Sequence, residues 1–178
     1  MTTAGARLQV RRAGPADAEA LAALSLRTFD ETWAHLYTPQ DQADYKAHAY
    51  SPAFYREALE ERGCAAWLLE DGEGRALGYV LVGPCGLPHP QVAPGDLELK
   101  RLYLLRDVQN GGWGRRLFAE AEAWLRANAP RAIWIGVWSE NLGAQRFYAR
   151  EGYERVGEYL FEVGQARDRE FILRKQLD

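Results

Sequence analysis

The chain has 178 residues, of which 47% are hydrophobic and 26% charged, with a net charge of −3 at pH 7. This length suits one domain covering residues 1–178, and the composition excludes disordered, collagen-like and coiled-coil chains. The charge argues against a nucleic-acid-binding protein, and no apolar run approaches the roughly 18 residues of a membrane span.

Targeting and metal-binding patterns are not found in the sequence. The stretch MTTAGARLQVRRAGPADAEA lacks the basic-then-apolar pattern of a signal peptide, so we expect a cytoplasmic protein. Cys64 and Cys85 fit no CxxC spacing, and His35, His48 and His89 share no ligand spacing with them. We therefore expect no metal, and two reduced cysteines that serve as small buried apolar residues.

The first part of the chain predicts a strand, three helices and a hairpin. Proline after glycine or serine marks two of the helix starts, and the DGEG turn at residues 71–74 tolerates the positive φ of a hairpin. The predicted strands are 8–12, 65–70 and 76–82. The predicted helices begin at Gly14-Pro15, running towards Trp33, and cover about 39–50 and 51–63.

The second part predicts strands alternating with two helices. Residues 86–95 contain three prolines and form a surface connection. The apolar stripe that begins at Trp113 predicts a helix ending near Pro130. The nearly continuous apolar run AIWIGVW predicts a buried central strand. The predicted strands are 96–105, 132–138, 153–163 and 168–175, and a short helix covers 141–150. This order indicates an α/β fold, a mixed sheet with helices on both faces.

The glycine-rich segment QNGGWG, residues 109–114, lies between a predicted strand and a predicted helix. Glycines allow close approach of the backbone to a ligand, and the start of the helix offers unpaired N–H groups to an anion. The segment is neither a Walker loop nor a GxGxxG fingerprint. We interpret it as a phosphate cradle, with a purely structural turn as the alternative.

Three motifs between residues 96 and 155 resemble those of the GCN5-related N-acetyltransferase (GNAT) superfamily. Gln109-x-x-Gly112-x-Gly114 is similar to its pyrophosphate loop, and DLELKRLYLL is similar to its fourth strand. The run from Asn141 through Ala144 to Tyr148, followed by EGY, resembles its Asn-x-x-Ala-x-x-x-Tyr helix. The resemblance implies a mixed, mostly antiparallel central sheet of about seven strands, flanked by helices on both faces.

Within the superfamily, the segment GVWSENLGAQRFYAREGYERVGEYLFEVG is most similar to the PaiA-type spermidine/spermine N-acetyltransferases. TFDETW at residues 28–33 is also similar to that group. The segment QARDRE, residues 165–170, departs from it, because arginines enter a stretch that we expect to be more acidic.

The resemblance implies acyl transfer from acetyl-CoA to an amine. Tyr148 is then the general acid that protonates the CoA sulfur, or alternatively a tyrosine that packs its helix on the sheet. Glu98 is then the general base, acting through water, or alternatively a surface or salt-bridged glutamate. Alternation puts Glu98 on the strand face opposite Leu97 and Leu99.

The resemblance also implies the binding residues. Backbone amides of Leu102, Tyr103 and Leu104 would contact the pantetheine arm, and Asn141 would contact the cofactor or cap its helix. The pyrophosphate would bind the segment from Gln109 to Arg115, namely Gln109, Asn110, Gly111, Gly112, Trp113, Gly114 and Arg115. Phe29, Glu31, Trp33 and Tyr37 lie in the segment that covers the acceptor, with core packing and a solvated glutamate as alternatives.

The sequence thus predicts an acetyl-CoA-dependent N-acetyltransferase that acts on the primary amine of a small molecule, with a polyamine as the candidate. The alternatives are a peptide or protein acceptor and a non-catalytic CoA-binding sensor. We expect no nucleic-acid or membrane partner. A homodimer is compatible with the resemblance, since terminal strands in this superfamily often pair or swap.

Overall fold

The computed structural model describes residues 7–128 and 131–178, and within them seven strands form one sheet in the order β1-β2-β3-β4-β5-β7-β6. Neighbouring strands are antiparallel, except that β4 and β5 run parallel. The predicted α/β class and the mixed, mostly antiparallel sheet are confirmed. The strands are β1 (Gln9–Arg12), β2 (Ala65–Glu70), β3 (Ala76–Pro84), β4 (Leu97–Leu104), β5 (Ala132–Trp138), β6 (Glu154–Val163) and β7 (Ala166–Gln176).

The helices begin at the signals that the sequence contains. Thr38 accepts a hydrogen bond from the Asp41 N–H at 3.2 Å, and Ser51 accepts one from the Phe54 N–H at 3.1 Å, so each caps the helix that follows. The predicted helix end near Pro130 lies outside the described residues. The helices are α1 (Ala18–Thr32), α2 (Pro39–Ala49), α3 (Pro52–Glu60), α4 (Trp113–Asn128) and α5 (Leu142–Arg150).

The helices cover both faces of the sheet, as predicted. On one face, Leu21 and Leu24 of α1 and Tyr55 of α3 are buried with Leu68 and Leu81 of the sheet. On the other face, α4 and α5 pack over a larger cluster that includes Leu117, Phe118, Tyr148, Ile133 and Ile135. The strands in the middle of the sheet are therefore buried on both sides, which explains their continuous apolar runs.

Two irregularities of β4 shape the centre of the sheet. Its register with β3 shifts at Lys100, which is the extra residue of a β-bulge. Its pairing with β5 covers only Leu97–Leu99 against Ile133–Ile135. Beyond that short ladder the two strands diverge and leave a gap in the sheet.

The strand β3 continues two residues beyond its predicted end. Its neighbour β2 stops at the pair formed by Ala65 and Val82, so Gly83 and Pro84 pair only with β4. Proline lacks an N–H donor but is tolerated where one side of a strand is open. The predicted strand 76–82 is therefore two residues too short, because the pairing with β4 extends it to Pro84.

Candidate active site

A cavity of about 320 Å³ lies where β4 and β5 diverge. Side chains of α1, α2 and α3 cover it, strands β4 to β7 form its floor, and it reaches through the gap to α5. Its volume falls within the range of pockets that hold small molecules. Because the walls come from separate parts of the chain, the cavity depends on the tertiary fold.

Aromatic rings cover the cavity from the helical side. Phe29 is buried, and its ring centroid lies 6.0 Å from that of Tyr37 and 5.7 Å from that of Tyr45. Trp33 meets Trp138 of β5 edge-on, with the centroids 4.9 Å apart. Phe29, Trp33 and Tyr37, the aromatic residues predicted near the acceptor, all line the cavity, and they also pack against one another or the sheet.

Glu31 lies elsewhere. Its carboxylate accepts a hydrogen bond from the backbone N–H of Arg106 at 2.7 Å, and its carbonyl accepts one from the Arg106 guanidinium at 2.8 Å. These contacts fasten the end of α1 to the turn after β4. Residues two apart on a helix point in different directions, so Glu31 does not share the cavity face of Phe29.

Glu98 reaches the cavity from β4. Leu97 and Leu99 belong to the buried cluster that includes α4, and Glu98 lies on the opposite strand face, in agreement with the predicted alternation. Glu98 and Leu99 both border the cavity, which passes through the gap in the sheet. Glu98 Oε1 accepts hydrogen bonds from the Gly86 N–H at 3.0 Å and from the Lys100 ammonium at 3.3 Å. Glu98 therefore forms a salt bridge, which the sequence analysis gave as the alternative to a general base. Its carboxylate also lies on the strand face that the catalytic hypothesis requires.

Two further carboxylates come from β7. Tyr37 donates a hydrogen bond to Asp168, and Tyr159, the cross-strand partner of Glu170, donates one to Glu170 at 3.4 Å. The pKa of Glu170 is raised to about 7, mainly by burial. The hydrogen bond from Tyr159 opposes the rise, and the carboxylates of Asp168 and Glu98 contribute to it. A carboxyl with this pKa can accept or release a proton at neutral pH.

A single arginine of β4 also lines the cavity. The Arg101 guanidinium donates hydrogen bonds to the Ala49 carbonyl at 2.8 Å and to the Tyr55 hydroxyl at 2.9 Å. Its charge lies 4.8 Å from the ring centroid of Tyr50 and 4.5 Å from that of Phe54. These cation–π contacts tie β4 to the α2–α3 connection.

Tyr148 projects from α5 towards the gap between β4 and β5. The residue is 7% exposed, and its ring packs 6.0 Å from the rings of Phe118 and Tyr153. Burial raises the pKa of the Tyr148 phenol above its ordinary value. The phenol is therefore protonated at neutral pH and lines the cavity, as a proton donor must.

The strand β4 offers free backbone along the gap. Leu102, Tyr103 and Leu104 pair with β3 on one side, while the ladder with β5 on the other side ends at Leu99. Their outer edge therefore faces the space between the diverging strands. A strand edge of this kind can bind an extended ligand through its N–H and C=O groups.

The loop after β4 has the backbone of an anion cradle. Asn110 has a φ of 63° and Gly112 a φ of 84°, and a Cβ at Gly112 would meet nothing within 4 Å. The helix α4 begins directly after it at Trp113, so its first N–H groups point towards the loop. A second cavity, of about 490 Å³, opens here and is lined by Asn110, Gly112, Gly114, Arg115, Phe147, Arg150 and Glu151.

Other predicted cofactor residues have structural contacts. The Gln109 side chain donates to the Leu104 carbonyl at 3.0 Å, which fixes the loop to the end of β4. A Cβ at Gly114 would lie 3.3 Å from Leu104 Cδ1, so glycine lets α4 approach the strand closely. Asn141 Oδ1 accepts a hydrogen bond from the Ala144 N–H at 3.1 Å and caps α5, while the residue also borders the cavity of about 320 Å³.

Sequence reasoning missed Asp168 and Glu170. The arginines of QARDRE point away from the cavity, since Arg167 pairs with Glu162 at 3.5 Å and Arg169 with Glu158 at 2.6 Å. Strand alternation separates the two acids from the two arginines and could have identified the acidic face. A glycine within the apolar strand AIWIGVW was a second signal, because it marks a close approach of other groups.

Within residues 7–128 and 131–178, no cluster of His, Cys, Asp and Glu could hold a metal ion. No helix in those ranges has the length and apolarity to cross a membrane. Cys64 and Cys85 are free but half-buried, which corrects the expectation of fully buried thiols. Burial raises the pKa of the Cys85 thiol to about 11.

Comparison with known proteins identifies a family and a set of relatives. The acetyltransferase (GNAT) family model matches residues 24–153. An uncharacterised N-acetyltransferase of Lactobacillus delbrueckii subsp. lactis is 30% identical over 155 residues, which cover 87% of this chain and 89% of that protein.

Solved structures show the same fold at low identity. The crystal structure of PaiA N-acetyltransferase from Thermoplasma acidophilum in complex with coenzyme A has a TM-score of 0.74 at 16% identity, covering 96% of this chain and 99% of that one. A ribosomal-protein-alanine N-acetyltransferase from Brucella melitensis has a TM-score of 0.71 at 23% identity, covering 95% and 99%. The two names describe different acetyltransferases, so the fold alone does not define the acceptor.

Proposed function

Because the chain belongs to the acetyltransferase (GNAT) family and is an acetyl-CoA-dependent N-acetyltransferase, we propose that it acetylates the primary amine of a small cationic molecule, with a polyamine as the candidate acceptor. The observation that carries the proposal is the cavity of about 320 Å³ with aromatic walls and three carboxylates. Aromatic faces and carboxylates are the groups that attract an ammonium ion.

The residues around the gap fit acetyl-CoA. The cradle at Gly112 has open space and the N-terminus of α4 beside it, which suits the pyrophosphate. Arg115 lines the cavity of about 490 Å³ that opens at this loop. The free edge of β4 from Leu102 to Leu104 suits the pantetheine arm. When bound, acetyl-CoA supplies the activated acetyl group as a thioester.

The residue roles in the proposal follow from the chemistry of acyl transfer. Tyr148 is the donor of a proton to the leaving sulfur, supported by its protonated phenol at the gap. Glu98 is the predicted proton acceptor, and Asp168 helps to bind the positive charge of the acceptor. Lys100 already neutralises part of the Glu98 charge, so another carboxylate of the cavity is also a candidate for the general base.

The walls of the cavity favour a small acceptor over a peptide. Phe29, Trp33 and Tyr37 cover the side of the cavity that an open peptide groove would leave free. A polyamine also brings more than one ammonium group to the three carboxylates. The PaiA-like features of the sequence point to the same acceptor class.

Release of the CoA thiol tests the acceptor. We expect rapid release with spermidine or spermine, and kcat/KM at least about tenfold lower with a monoamine, because a lost hydrogen-bonded charge pair costs about 1.5–3 kcal/mol, a factor of roughly 10 to 150. The Asp168→Asn variant should raise KM for spermidine about tenfold for the same reason. The matched control Asp44→Asn, on the exposed face of α2, should leave it unchanged.

Other outcomes would contradict the proposal. Turnover of a peptide with a free N-terminal amine, and of no small amine, would establish a macromolecular acceptor. Tight binding of acetyl-CoA without turnover of any amine would indicate a sensor instead of an enzyme.

A further inference from the structure

Glu170 lies over the point where β4 and β5 part. Their pairing ends at Leu99 and Ile135, and Gly136 is the next residue of β5. A Cβ built at Gly136 would lie 3.4 Å from Glu170 Oε2 and 3.1 Å from the Tyr159 hydroxyl. The absence of a side chain at Gly136 therefore gives these two groups access to the gap, which the free edge of β4 also borders.

The surroundings of Glu170 bring the pKa of its carboxyl close to neutral pH. Burial is the main cause of its raised pKa of about 7, and the carboxylates of Asp168 on β7 and Glu98 on β4 act in the same direction. Tyr159 on β6 opposes them by donating a hydrogen bond. The other titratable groups coupled to Glu170 are phenols whose own pKa values burial raises, namely Tyr37, Tyr45 and Tyr103.

Glu98 and Glu170 differ in their partners. Glu98 Oε1 receives both the Gly86 N–H and the Lys100 ammonium, at 3.0 and 3.3 Å. Within the described part of the chain, the Glu170 carboxyl forms no salt bridge, and its one hydrogen bond is the 3.4 Å contact from the Tyr159 hydroxyl. Glu98 Oε1 thus already accepts two hydrogen bonds, whereas the Glu170 carboxyl is freer to accept one from an amine.

We infer that Glu170, and not Glu98, accepts the proton that the acceptor amine must lose before it attacks. The inference rests on the proposed small-amine acceptor, whose ammonium group would lie against the carboxylates of β7. Glu98, held by Lys100 and Gly86, then contributes negative charge that binds the acceptor.

Acetyl transfer begins with a proton transfer to Glu170. One ammonium proton passes to the Glu170 carboxylate, and the freed nitrogen lone pair forms a bond to the thioester carbon. The C–S bond breaks, its electron pair goes to sulfur, and sulfur takes a proton from the Tyr148 phenol. The new amide nitrogen loses its second proton, which restores the phenol through solvent, and Glu170 releases its proton to solvent.

The pH dependence of kcat/KM distinguishes the two carboxylates. With spermidine, the wild-type kcat/KM should increase with pH through a limb centred near pH 7, where Glu170 loses its proton. Glu170→Gln should lower kcat/KM about 100-fold near neutral pH and remove this limb, as the loss of a general base does. Glu98→Gln should keep the limb and lose activity mainly through KM. The control Glu154→Gln, at an exposed position of β6, should match the wild type.

The opposite pattern, a limb that persists in Glu170→Gln and is lost in Glu98→Gln, would overturn the inference. If spermidine is not turned over, the same variants are measured with a peptide that has a free N-terminal amine. In that case the proposed acceptor fails while the role of Glu170 is still decided.

A titration independent of activity completes the test. The protein with ¹³C-labelled glutamate carboxyl groups is titrated by NMR, and the signal missing from Glu170→Gln is assigned to Glu170. The inference requires that signal to titrate near pH 7. Titration near the ordinary pKa of a glutamate, about 4.3, would refute it even for a protein that turns over no tested amine.

Discussion

The phenol of Tyr148 combines burial with a place on the cavity wall. Because burial raises its pKa, the proton remains available throughout the neutral range. We expect Tyr148→Phe to lower kcat about 100-fold, in keeping with the loss of a general acid. The KM for acetyl-CoA should change little, since the ring that packs against Phe118 is retained. Steady-state kinetics of CoA release measure both values.

Tyr153 provides the matched control for that substitution. Its ring packs 6.0 Å from that of Tyr148, but it does not line the cavity. Its hydroxyl is buried and has no hydrogen-bond partner among the described residues. Tyr153→Phe should therefore keep full activity and equal or greater stability. A Tyr148→Phe protein as active as Tyr153→Phe would contradict the proposed role of Tyr148.

For single residues, the sequence pattern predicted the strand face on which a side chain lies, but not the groups that it contacts. Alternation was enough to assign Glu98 to the face opposite Leu97 and Leu99. Alternation also places Lys100 on the same face as Glu98, but it could not show that the Gly86 N–H, from the connection after β3, binds the same carboxylate oxygen. Glu170 gains its neighbours Tyr159 and Glu98 from β6 and β4, and which strands lie beside it follows from the order of the sheet, not from a local pattern.

The loop between β4 and α4 offers a test at the level of an element. Gly112 has a φ of 84°, and a Cβ there would project into open space. Alanine at a left-handed position costs about 1–2 kcal/mol, and relaxation of the loop would shift the N–H groups of the cradle. We expect Gly112→Ala to raise the Kd for coenzyme A about tenfold, as measured by calorimetry.

Gly74 provides a control with the same backbone strain. It has a φ of 80° in the turn between β2 and β3, and a Cβ there also meets nothing within 4 Å. Gly74→Ala should lower stability by a similar amount and leave coenzyme A binding unchanged. If both variants bind coenzyme A with wild-type affinity, the loop is a structural turn and not a cradle.

Elements with strong local signals matched their predicted bounds. The strands β2 and β5 have the predicted ends, and α2 and α3 begin at the predicted prolines. The helix α3 ends at Glu60, before the predicted Gly63, whose positive φ of 93° belongs to the turn that follows. Helix ends depend on the tertiary contacts of the last turn, which a cap signal alone does not specify.

At the scale of the whole molecule, the sheet joins the two ends of the described chain. The strand β1 begins at Gln9 on one edge, and β7 ends at Gln176 beside the opposite edge. The cavity draws on both halves, from Phe29 to Glu170, so its acidic floor and aromatic cover could not be combined from sequence alone. A homodimer is compatible with the resemblance, and β1 and β6 are the outer strands through which sheets could pair.

The single domain stays a prediction, and unfolding tests it. We expect one cooperative thermal transition followed identically by circular dichroism and tryptophan fluorescence, as two-state domains show. Coenzyme A at about 100 times its Kd should add about 2.7 kcal/mol of stability and raise the Tm by about 5–10 °C. Because β4, which borders the gap, lies in the centre of the sheet, both probes should shift together. Two transitions, of which coenzyme A moves only one, would mean that the chain folds as two units.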